Sequence, residues 1–153
     1  MSATQIENPA ALRQHLGREV AVSDWLEVTQ ERINLFAEAT EDRQWIHTDP
    51  ARAARESPFR RAIAHGFLTL SLLSELGRTA VSVGGVRMGI NYGLNRVRFV
   101  APVPAGSRVR ARFTLAELEE FKGGVQATWA VTVEREAGDK PCCAAEWLVR
   151  YYE

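Results

Sequence analysis

The chain of 153 residues, 46% hydrophobic and 25% charged, has the composition of an ordinary globular protein and the length of one domain. A chain of this length buries about 70% of the surface that it exposes when unfolded. Its 19 basic and 19 acidic residues give a formal net charge of zero, which excludes a global field that attracts nucleic acid or an anionic membrane.

The sequence shows no targeting or membrane-spanning segment. No apolar run approaches the roughly 20 residues that cross a bilayer, and the N-terminus lacks the apolar core of a signal peptide. Cys142 and Cys143 are adjacent, so on a strand they point to opposite faces and are poorly placed for a disulfide or a metal site. We therefore predict a cytoplasmic protein whose thiols stay reduced.

The N-terminal part of the chain carries the signals of short helices and one strand. Asn8 and Pro9 form the N-cap and first turn of a short helix. Residues 19–28 alternate loosely and include β-branched side chains, which favours a strand. Thr29 is placed to cap a helix over residues 30–40, whose apolar residues recur on one face.

The segment 41–48 interrupts the helical pattern and holds two ionisable side chains, Asp42 and His47. Positions five apart lie about 140° from each other on a helix, so a loop is the better way to direct both side chains at one substrate. Asp49 and Pro50 then begin another short helix, with Asp49 as the N-cap. We expect this cap to fix the preceding loop.

The most hydrophobic stretch of the chain runs from Gly66 to about Thr79. Its apolar residues cover more than one face of a helix: Phe67, Leu68, Leu70, Leu72, Leu73 and Leu76. A helix that is apolar nearly all round is buried, so this pattern predicts the central helix of the core. His65 stands just before it, and Ser71 and Ser74 are small polar positions along it.

The second half of the chain has the pattern of strands. Apolar and polar residues alternate in four stretches that are separated by turn residues: 86–100, 107–121, 125–133 and 143–151. Long neighbouring strands with short connections form an antiparallel sheet. With one central apolar helix, they predict an α+β fold in one domain over residues 1–153. Trp25, Trp129 and Trp147 are expected in its core.

Two motifs in this chain resemble those of a known family. Asp42, His47 and Asp49 keep a fixed spacing, residues 45–50 read WIHTDP, and residues 63–73 read IAHGFLTLSLL. Together they resemble the MaoC-like dehydratases, which include the R-specific enoyl-CoA hydratases, and especially the subgroup related to the nodulation protein NodN. The resemblance covers nearly the whole chain. It implies a single hot-dog domain, in which an antiparallel sheet wraps around the central apolar helix.

The resemblance implies a hydro-lyase of fatty acid metabolism that adds water reversibly to trans-2-enoyl-CoA to give (R)-3-hydroxyacyl-CoA. The reaction needs a base for water, a proton for the α-carbon and a donor to the thioester oxygen. By resemblance, Asp42 and His47 hold the water and one of them delivers the proton. The backbone N–H of Gly66, at a helix N-terminus, is the donor. No metal or redox cofactor is implied, since coenzyme A belongs to the substrate.

Further residues are candidates for contacts with the substrate. Four polar ones are Gln44, His65, Ser71 and Ser74, although the histidine and the serines are more typical of structural roles. Candidates for the coenzyme A phosphates are Arg60, Arg61, Arg96 and Arg98, although such arginines more often lie on solvated faces. The chain departs from the hydratase motif at Glu41, Gln44 and Trp45, where the family usually has Gly, Asn and Pro.

Two other functions remain open at this point. An acyl-CoA thioesterase would use the same fold, but the spacing of Asp42 and His47 matches the hydratase pattern. A non-catalytic acyl-thioester binder is kept open by the changes at Glu41, Gln44 and Trp45. For the assembly, the resemblance implies a homodimer, because a hot-dog domain with one helix usually pairs its sheet edge with a second copy. Neither nucleic acid nor a membrane is expected as a partner.

Overall fold

Long antiparallel strands from the second half of the chain form most of the fold. The computed structural model describes residues 2–153. The elements in chain order are β1 (Thr4–Ile6), a 3-10 helix (Pro9–His15), β2 (Glu19–Val22), β3 (Leu26–Val28), α1 (Gln30–Thr40), α2 (Trp45–Thr48), α3 (Pro50–Glu56), α4 (Gly66–Ser71), α5 (Leu73–Ala80), β4 (Val81–Val83), β5 (Met88–Arg98), β6 (Ser107–Phe121), β7 (Gly124–Arg135) and β8 (Cys143–Tyr152).

The main sheet has six strands in the order β2-β6-β7-β8-β5, and β3 also pairs with β6. All of its pairings are antiparallel. The predicted antiparallel sheet of consecutive long strands and the α+β fold class are therefore confirmed. The short strands β1 and β4 form a separate parallel pair, which the sequence did not reveal because each has only three residues.

The core lies between the main sheet and the helices α4 and α5. Alternate residues of β6 face it, as the period of two requires: Val109, Ala111, Phe113 and Leu115. The helices contribute a row of leucines: Leu68, Leu72, Leu73 and Leu76. Trp129 of β7 is 2% exposed, and its ring meets that of Phe113 edge to face with centroids 6.2 Å apart. The expected core position of Trp129 is confirmed.

The predicted strand over residues 19–28 is wrong in its continuity. It is split into β2 and β3 around the buried Ser23, whose hydroxyl accepts a hydrogen bond from the main-chain N–H of Ala111. Trp25 follows this break and is not a core residue. Its half-buried ring lies under the guanidinium of Arg110, 4.5 Å from the ring centroid, on the polar face of β6.

The helix predicted from Gly66 to about Thr79 is also interrupted. Leu72 separates α4 from α5, but Leu72 N–H donates to Leu68 and Leu76 N–H donates to Leu72, so α5 continues the path of α4. The prediction of burial all round is wrong at Phe67, which is 70% exposed. None of the helices in residues 2–153 has the length and apolar character needed to cross a bilayer.

The predicted helix N-caps are confirmed. The side chains of Asn8, Thr29 and Asp49 each accept a hydrogen bond from the main-chain N–H three residues further on, at 2.9, 3.1 and 3.0 Å. The first of these helices is of the 3-10 type. These caps fix the starts of α1 and α3, and the segment with Asp42 and His47 lies between the two helices.

Candidate active site

The segment between α1 and α3 turns sharply at its start. Glu41 ends α1 with a left-handed backbone, at φ 63° and ψ 12°. This conformation costs an L-residue with a side chain about 1–2 kcal/mol, and it is the one that glycine adopts readily. The predicted loop is confined to residues 41–44, because α2 forms the next turn. His47 therefore lies on a short helix and not, as predicted, in a loop.

His47 is held by its ring and by its main chain. The ring is 7% exposed, and its Nδ1 lies 2.6 Å from the carbonyl oxygen of Ile63. A carbonyl only accepts, so Nδ1 carries the proton and Nε2 is the unprotonated nitrogen of the neutral ring. The main-chain oxygen of His47 accepts from the side-chain amide of Gln30 at 2.7 Å. Its neighbour Ile46 accepts from the N–H of Ile63 at 3.0 Å.

His65 packs directly on His47. The two rings are stacked, with centroids 3.8 Å apart and planes inclined by 24°. His65 is 3% exposed, and its Nε2 donates to the main-chain oxygen of Asp42 at 2.9 Å. Its Nδ1 is buried and has no hydrogen-bond partner among the described residues. Although His65 occupies the N-cap position of α4, its side chain makes no capping hydrogen bond.

The carboxylate of Asp42 completes this group at the solvent side. Asp42 is exposed, and one carboxylate oxygen lies within 4.8 Å of a ring nitrogen of His47 and of His65. A carboxylate oxygen also accepts from the main-chain N–H of Gln44, at 3.4 Å. The side chain of Gln44 is exposed. The structure thus brings Asp42, His47 and His65 together.

A cavity of about 340 Å³ opens beside His47. Its walls include the backbone of Gly66, the buried Thr69 and Cys142, and the rings of Phe59 and Phe99. Gly66 is the first residue of α4, so its N–H has no acceptor within the helix. A Cβ at Gly66 would come 2.6 Å from the Phe99 ring, so packing against this ring also requires glycine.

Ser71 and Ser74 do not reach the cavity of His47. Both are exposed on the helices, and the hydroxyl of Ser71 donates to the main-chain oxygen of Phe67 at 2.7 Å. They line a smaller cavity of about 240 Å³ beside β5. Ser74 also borders one of about 670 Å³, whose inner walls are Gly77, Phe113, Trp129, Trp147, Val149 and Tyr151. Trp147, expected in the core, is half-buried and lines both of these cavities.

The four candidate arginines also lie outside the cavity of His47. Arg60 and Arg61 border a separate cavity of about 430 Å³, which Gln30 also lines. Arg96 and Arg98 are exposed at the end of the edge strand β5, where Arg96 lies 3.8 Å from a carboxylate of β8. The structure therefore does not bring these arginines to the Asp42, His47 and His65 group.

The surroundings of His47 favour its neutral form. Burial in the cavity lowers the pKa of His47 below its ordinary value of 6.5. The hydrogen bond to the Ile63 carbonyl raises this pKa, a charge on His65 lowers it, and the charge on Asp42 raises it, but burial has the largest effect. At neutral pH, His47 therefore offers the lone pair of Nε2 as a base.

The same three side chains are the only group in residues 2–153 with several possible metal-ligand atoms close together. Their geometry fits a metal poorly. Nδ1 of His47 and Nε2 of His65 each donate to a carbonyl oxygen, which leaves Nε2 of His47 and Nδ1 of His65 as possible ligands. Because the two rings are stacked, the lone pairs of these nitrogens lie in nearly parallel planes. A tetrahedral ion needs lone pairs that converge at about 2.0–2.1 Å. The arrangement is better suited to proton transfer.

Several residues of this site carry no signal in the sequence. Ile63 acts through its main-chain carbonyl, which every residue type has. Phe99 and Cys142 come from distant segments and look like ordinary strand residues. Gln30 stands at the half-buried first position of α1, and its residue type alone does not mark it as part of the site.

Comparison with known proteins identifies relatives over most of the chain. Residues 11–137 match the family described as MaoC like domain. The 3-hydroxyacyl-thioester dehydratase Z of Mycobacterium tuberculosis is 55% identical over 146 residues, which cover 95% of this chain and 96% of that protein. Nodulation protein N of Rhizobium leguminosarum bv. viciae is 50% identical over 136 residues, covering 87% and 84%.

Among solved structures, the (R)-hydratase from A. caviae involved in PHA biosynthesis superposes with a TM-score of 0.72 and 28% identity, covering 89% of this chain and 96% of that one. The observed α+β architecture is thus the hot-dog fold, and the resemblance to the NodN-related subgroup is confirmed. Two of these three proteins are named as a dehydratase and a hydratase, which are hydro-lyases. The chain therefore belongs to the MaoC-like family of hydro-lyases.

Proposed function

We propose that residues 1–153 form one hot-dog domain that acts as an R-specific 2-enoyl-CoA hydratase, running reversibly between trans-2-enoyl-CoA and (R)-3-hydroxyacyl-CoA. One observation carries this proposal. The Ile63 carbonyl fixes the proton of His47 on Nδ1, which leaves Nε2 unprotonated. The Asp42 carboxylate lies within 4.8 Å of a ring nitrogen of His47, and His47 borders a cavity that Gly66 also lines. A base, a neighbouring carboxylate and a backbone donor are thus available together.

In the hydration direction, a water molecule lies between the Asp42 carboxylate and Nε2 of His47. One of the two groups takes a proton from the water as its oxygen bonds to the β-carbon. The electron pair of the carbon–carbon double bond moves toward the thioester carbonyl, and the α-carbon then takes up this same proton, which the pair delivers. Dehydration follows the same steps in reverse, so the pair takes a proton from the α-carbon and returns it to the leaving hydroxyl.

The backbone N–H of Gly66 is the proposed donor to the thioester oxygen. The support is its place at the start of α4 and in the wall of the cavity that holds His47. Donors aimed at an oxygen that gains negative charge stabilise the transition state more than the ground state. The reaction as proposed moves only protons and electron pairs, so it needs no metal and no redox cofactor.

For the rest of the substrate, we propose that the acyl chain follows α4 and α5 away from Gly66. Ser74 is eight residues further on, about 12 Å at 1.5 Å per residue, and opens onto the large cavity with apolar walls. Ser71 and Ser74 would contact the chain on the way. Gln44, exposed near Asp42, is a candidate contact for the coenzyme A portion of the substrate.

We further propose a homodimer, because the free edge of the main sheet is apolar. Strand β5 pairs with β8 on one side, and no strand within residues 2–153 pairs with its other side. Large apolar side chains are exposed on β5 and beside it: Phe67, Met88, Ile90, Tyr92, Leu94, Phe99 and Val100. An exposed apolar edge strand of this length is typical of an interface.

The proposed reaction is tested by following the loss of enoyl absorbance from crotonyl-CoA with wild type and Asp42→Asn. We expect hydration by wild type and a fall in kcat of at least about 100-fold in the variant, because a neutral amide cannot accept the proton. Glu41→Gln is the matched control, since it removes a negative charge one position away and should keep wild-type kcat.

Three outcomes contradict the proposal. Release of free coenzyme A thiol in place of hydration would indicate a thioesterase. Binding of enoyl-CoA without turnover, unchanged in Asp42→Asn, would indicate an acyl-thioester binder. An Asp42→Asn variant that folds normally and keeps full activity would exclude Asp42 from the reaction.

A further inference from the structure

Besides the proposed acid–base pair, the site contains a second buried histidine with an unusual set of contacts. We propose that His65 is a positioning residue, which holds the Asp42 turn through a hydrogen bond and the His47 ring through a stack. The inference rests on the proposed function. It assigns His65 a part in the reaction that requires no contact with the substrate, unlike the substrate contact expected from the sequence.

The first contact anchors Asp42. The hydrogen bond from Nε2 of His65 to the main-chain oxygen of Asp42 is 2.9 Å long. The main-chain N–H of Asp42 lies 3.4 Å from the hydroxyl of Thr40, and its carboxylate lies 3.4 Å from the N–H of Gln44. Asp42 itself is exposed and gains little from packing. Three hydrogen bonds therefore fix the position of Asp42, and the one from His65 is the shortest.

The second contact fixes the ring of His47. The hydrogen bond to the Ile63 carbonyl fixes the position of Nδ1 but still allows the ring to rotate about the line from Nδ1 to that oxygen. The face of His65 at 3.8 Å prevents this rotation. Phe36 of α1 backs His65 from another side, with centroids 4.9 Å apart. Three rings thus form one packed group that joins α1, α2 and the start of α4.

The position of His65 in the chain makes it a rigid support. Its carbonyl accepts from the N–H groups of Leu68 and Thr69 at the start of α4. The N–H of its neighbour Ala64 donates to the carbonyl of Val103 at 2.8 Å. The ring is therefore fixed between the beginning of a core helix and the segment that enters β6. The exposed Asp42 turn is positioned against this support.

Other roles for His65 fit the contacts less well. At 3% exposure, the ring offers no surface for the coenzyme A portion of a substrate, and it does not cap its own helix. Its Nδ1 has no partner within residues 2–153, so no hydrogen bond of the fold explains that atom. Apart from the Phe36 ring that backs it, the side chain of His65 makes its two contacts with the proposed catalytic pair, Asp42 and His47.

His65 also affects the charge state of its neighbour. The ionisable groups around the His47 ring are Asp42, His65 and, on the wall of the cavity, the thiol of Cys142. From α1, the Gln30 amide reaches the His47 carbonyl and the Phe36 ring packs on His65, and neither side chain titrates. A positive charge on His65 lowers the pKa of His47. Replacing His65 with a neutral side chain should therefore raise the pKa of His47 and move the acid limb of kcat/KM to higher pH.

Two substitutions separate the two contacts. His65→Phe keeps a ring against His47 but loses the donor to Asp42, whereas His65→Gln keeps a donor at a similar distance but loses the ring. We expect each to lower kcat for crotonyl-CoA by roughly 10- to 100-fold with KM changed less than about twofold, because small displacements of catalytic groups carry costs of this order. His15→Gln, at the end of the 3-10 helix, is the control and should match wild type.

The decisive comparison combines the His65 substitutions with Asp42→Asn. If His65 acts through Asp42 and His47, His65→Phe lowers the residual rate of Asp42→Asn by much less than it lowers the wild-type rate. Equal losses in both backgrounds would overturn the proposal, as would wild-type kcat in both single variants. Losses matched by the fraction unfolded in thermal melts would mean a merely structural role.

A readout without turnover keeps this proposal distinct from the proposed function. The chain has three histidines, so nitrogen NMR can follow the titration and tautomer of His47 directly. In wild type we expect the Nδ1–H tautomer, and in His65→Gln a raised pKa of His47 and averaging between tautomers. If wild type does not hydrate enoyl-CoA, the proposed reaction fails, yet this titration still decides the positioning role. An unchanged His47 signal in both variants would refute it.

Discussion

At the scale of single residues, the tautomer and pKa of His47 determine the chemistry of the site. The Ile63 carbonyl leaves Nε2 as the basic nitrogen, and burial keeps the ring neutral near pH 7. A histidine with a lowered pKa is suited to accept a proton from water at neutral pH and to return it in the reverse reaction. Asp42 lies close enough to stabilise the imidazolium that forms in between.

The lowered pKa of His47 predicts how activity and stability depend on pH. We expect kcat/KM to be constant around pH 7 and to fall as His47 takes up a proton, with an apparent pKa below 6.5. Because the unfolded state binds this proton more readily, the associated stability is present above pH 6.5 and is lost as the pH falls through the folded-state pKa. Profiles of kcat/KM between about pH 5 and pH 8 test the expected activity, and urea unfolding over the same range tests the expected stability.

The control for this pH dependence is His47→Gln, which cannot titrate. Between neutral pH and about pH 5, its free energy of unfolding should fall less than that of wild type. Two results would contradict the lowering of the His47 pKa by burial. One is an acid limb of kcat/KM with an apparent pKa at or above 6.5. The other is an equal loss of unfolding free energy in wild type and His47→Gln.

At the scale of elements, the start of α4 packs closely against the segment after β5, through Gly66 and the ring of Phe99. Gly66→Ala would place a Cβ 2.6 Å from the Phe99 ring and force that ring into the cavity of His47 or out of its packing. We expect kcat/KM to fall by roughly 10- to 100-fold although alanine keeps the backbone N–H. Adding Phe99→Ala should restore much of the loss. Steady-state kinetics of the single and the double variant provide the measurement.

Gly89→Ala is the matched control for this substitution. No atom lies within 4 Å of the Cβ that it would add, so it should behave as wild type. If Gly66→Ala is as active as Gly89→Ala, the contact with Phe99 does not constrain the site. If Phe99→Ala fails to rescue Gly66→Ala, the requirement for glycine lies elsewhere than in this ring.

The helices and strands differ in how well the sequence predicted them. Regular alternation predicted β6 with its observed bounds, because a sheet with one buried face enforces a period of two. The helix caps were equally predictable, because Thr29 and Asp49 each bind a main-chain N–H only three residues further along the chain. Three-residue strands such as β1 have too few residues to show a period, and Ser23 splits its strand through a bond to a residue far along the chain.

The candidate site was predictable in some of its members but not in its geometry. The spacing of Asp42 and His47 and the resemblance drew attention to both residues and to Gly66. The stack of His65 on His47, and the bond from His65 to Asp42, join positions far apart in sequence and involve a main-chain oxygen. Such contacts leave no pattern in the residue types, because any residue supplies a carbonyl.

At the scale of the whole molecule, the apolar edge at β5 predicts association of two copies. The natural protections of an edge strand are charges, prolines or a covering element. Here the first part of the edge carries Met88, Ile90 and Tyr92, each at least 40% exposed, and the exposed charges of β5, Arg96 and Arg98, stand at its other end. Pairing with a second copy would satisfy the free main-chain groups and cover these side chains in one step.

We therefore expect wild type to sediment with twice the chain mass of 17.1 kDa. Tyr92→Glu should raise the dimer Kd by at least about 100-fold, because it places a charge in an apolar interface. Leu35→Glu is the matched control, since Leu35 is 65% exposed on α1, away from this edge, and its substitution should leave the dimer intact. Sedimentation velocity over a range of concentrations distinguishes these results. A wild-type monomer, or a Tyr92→Glu variant that stays as dimeric as Leu35→Glu, would show that β5 is not the interface.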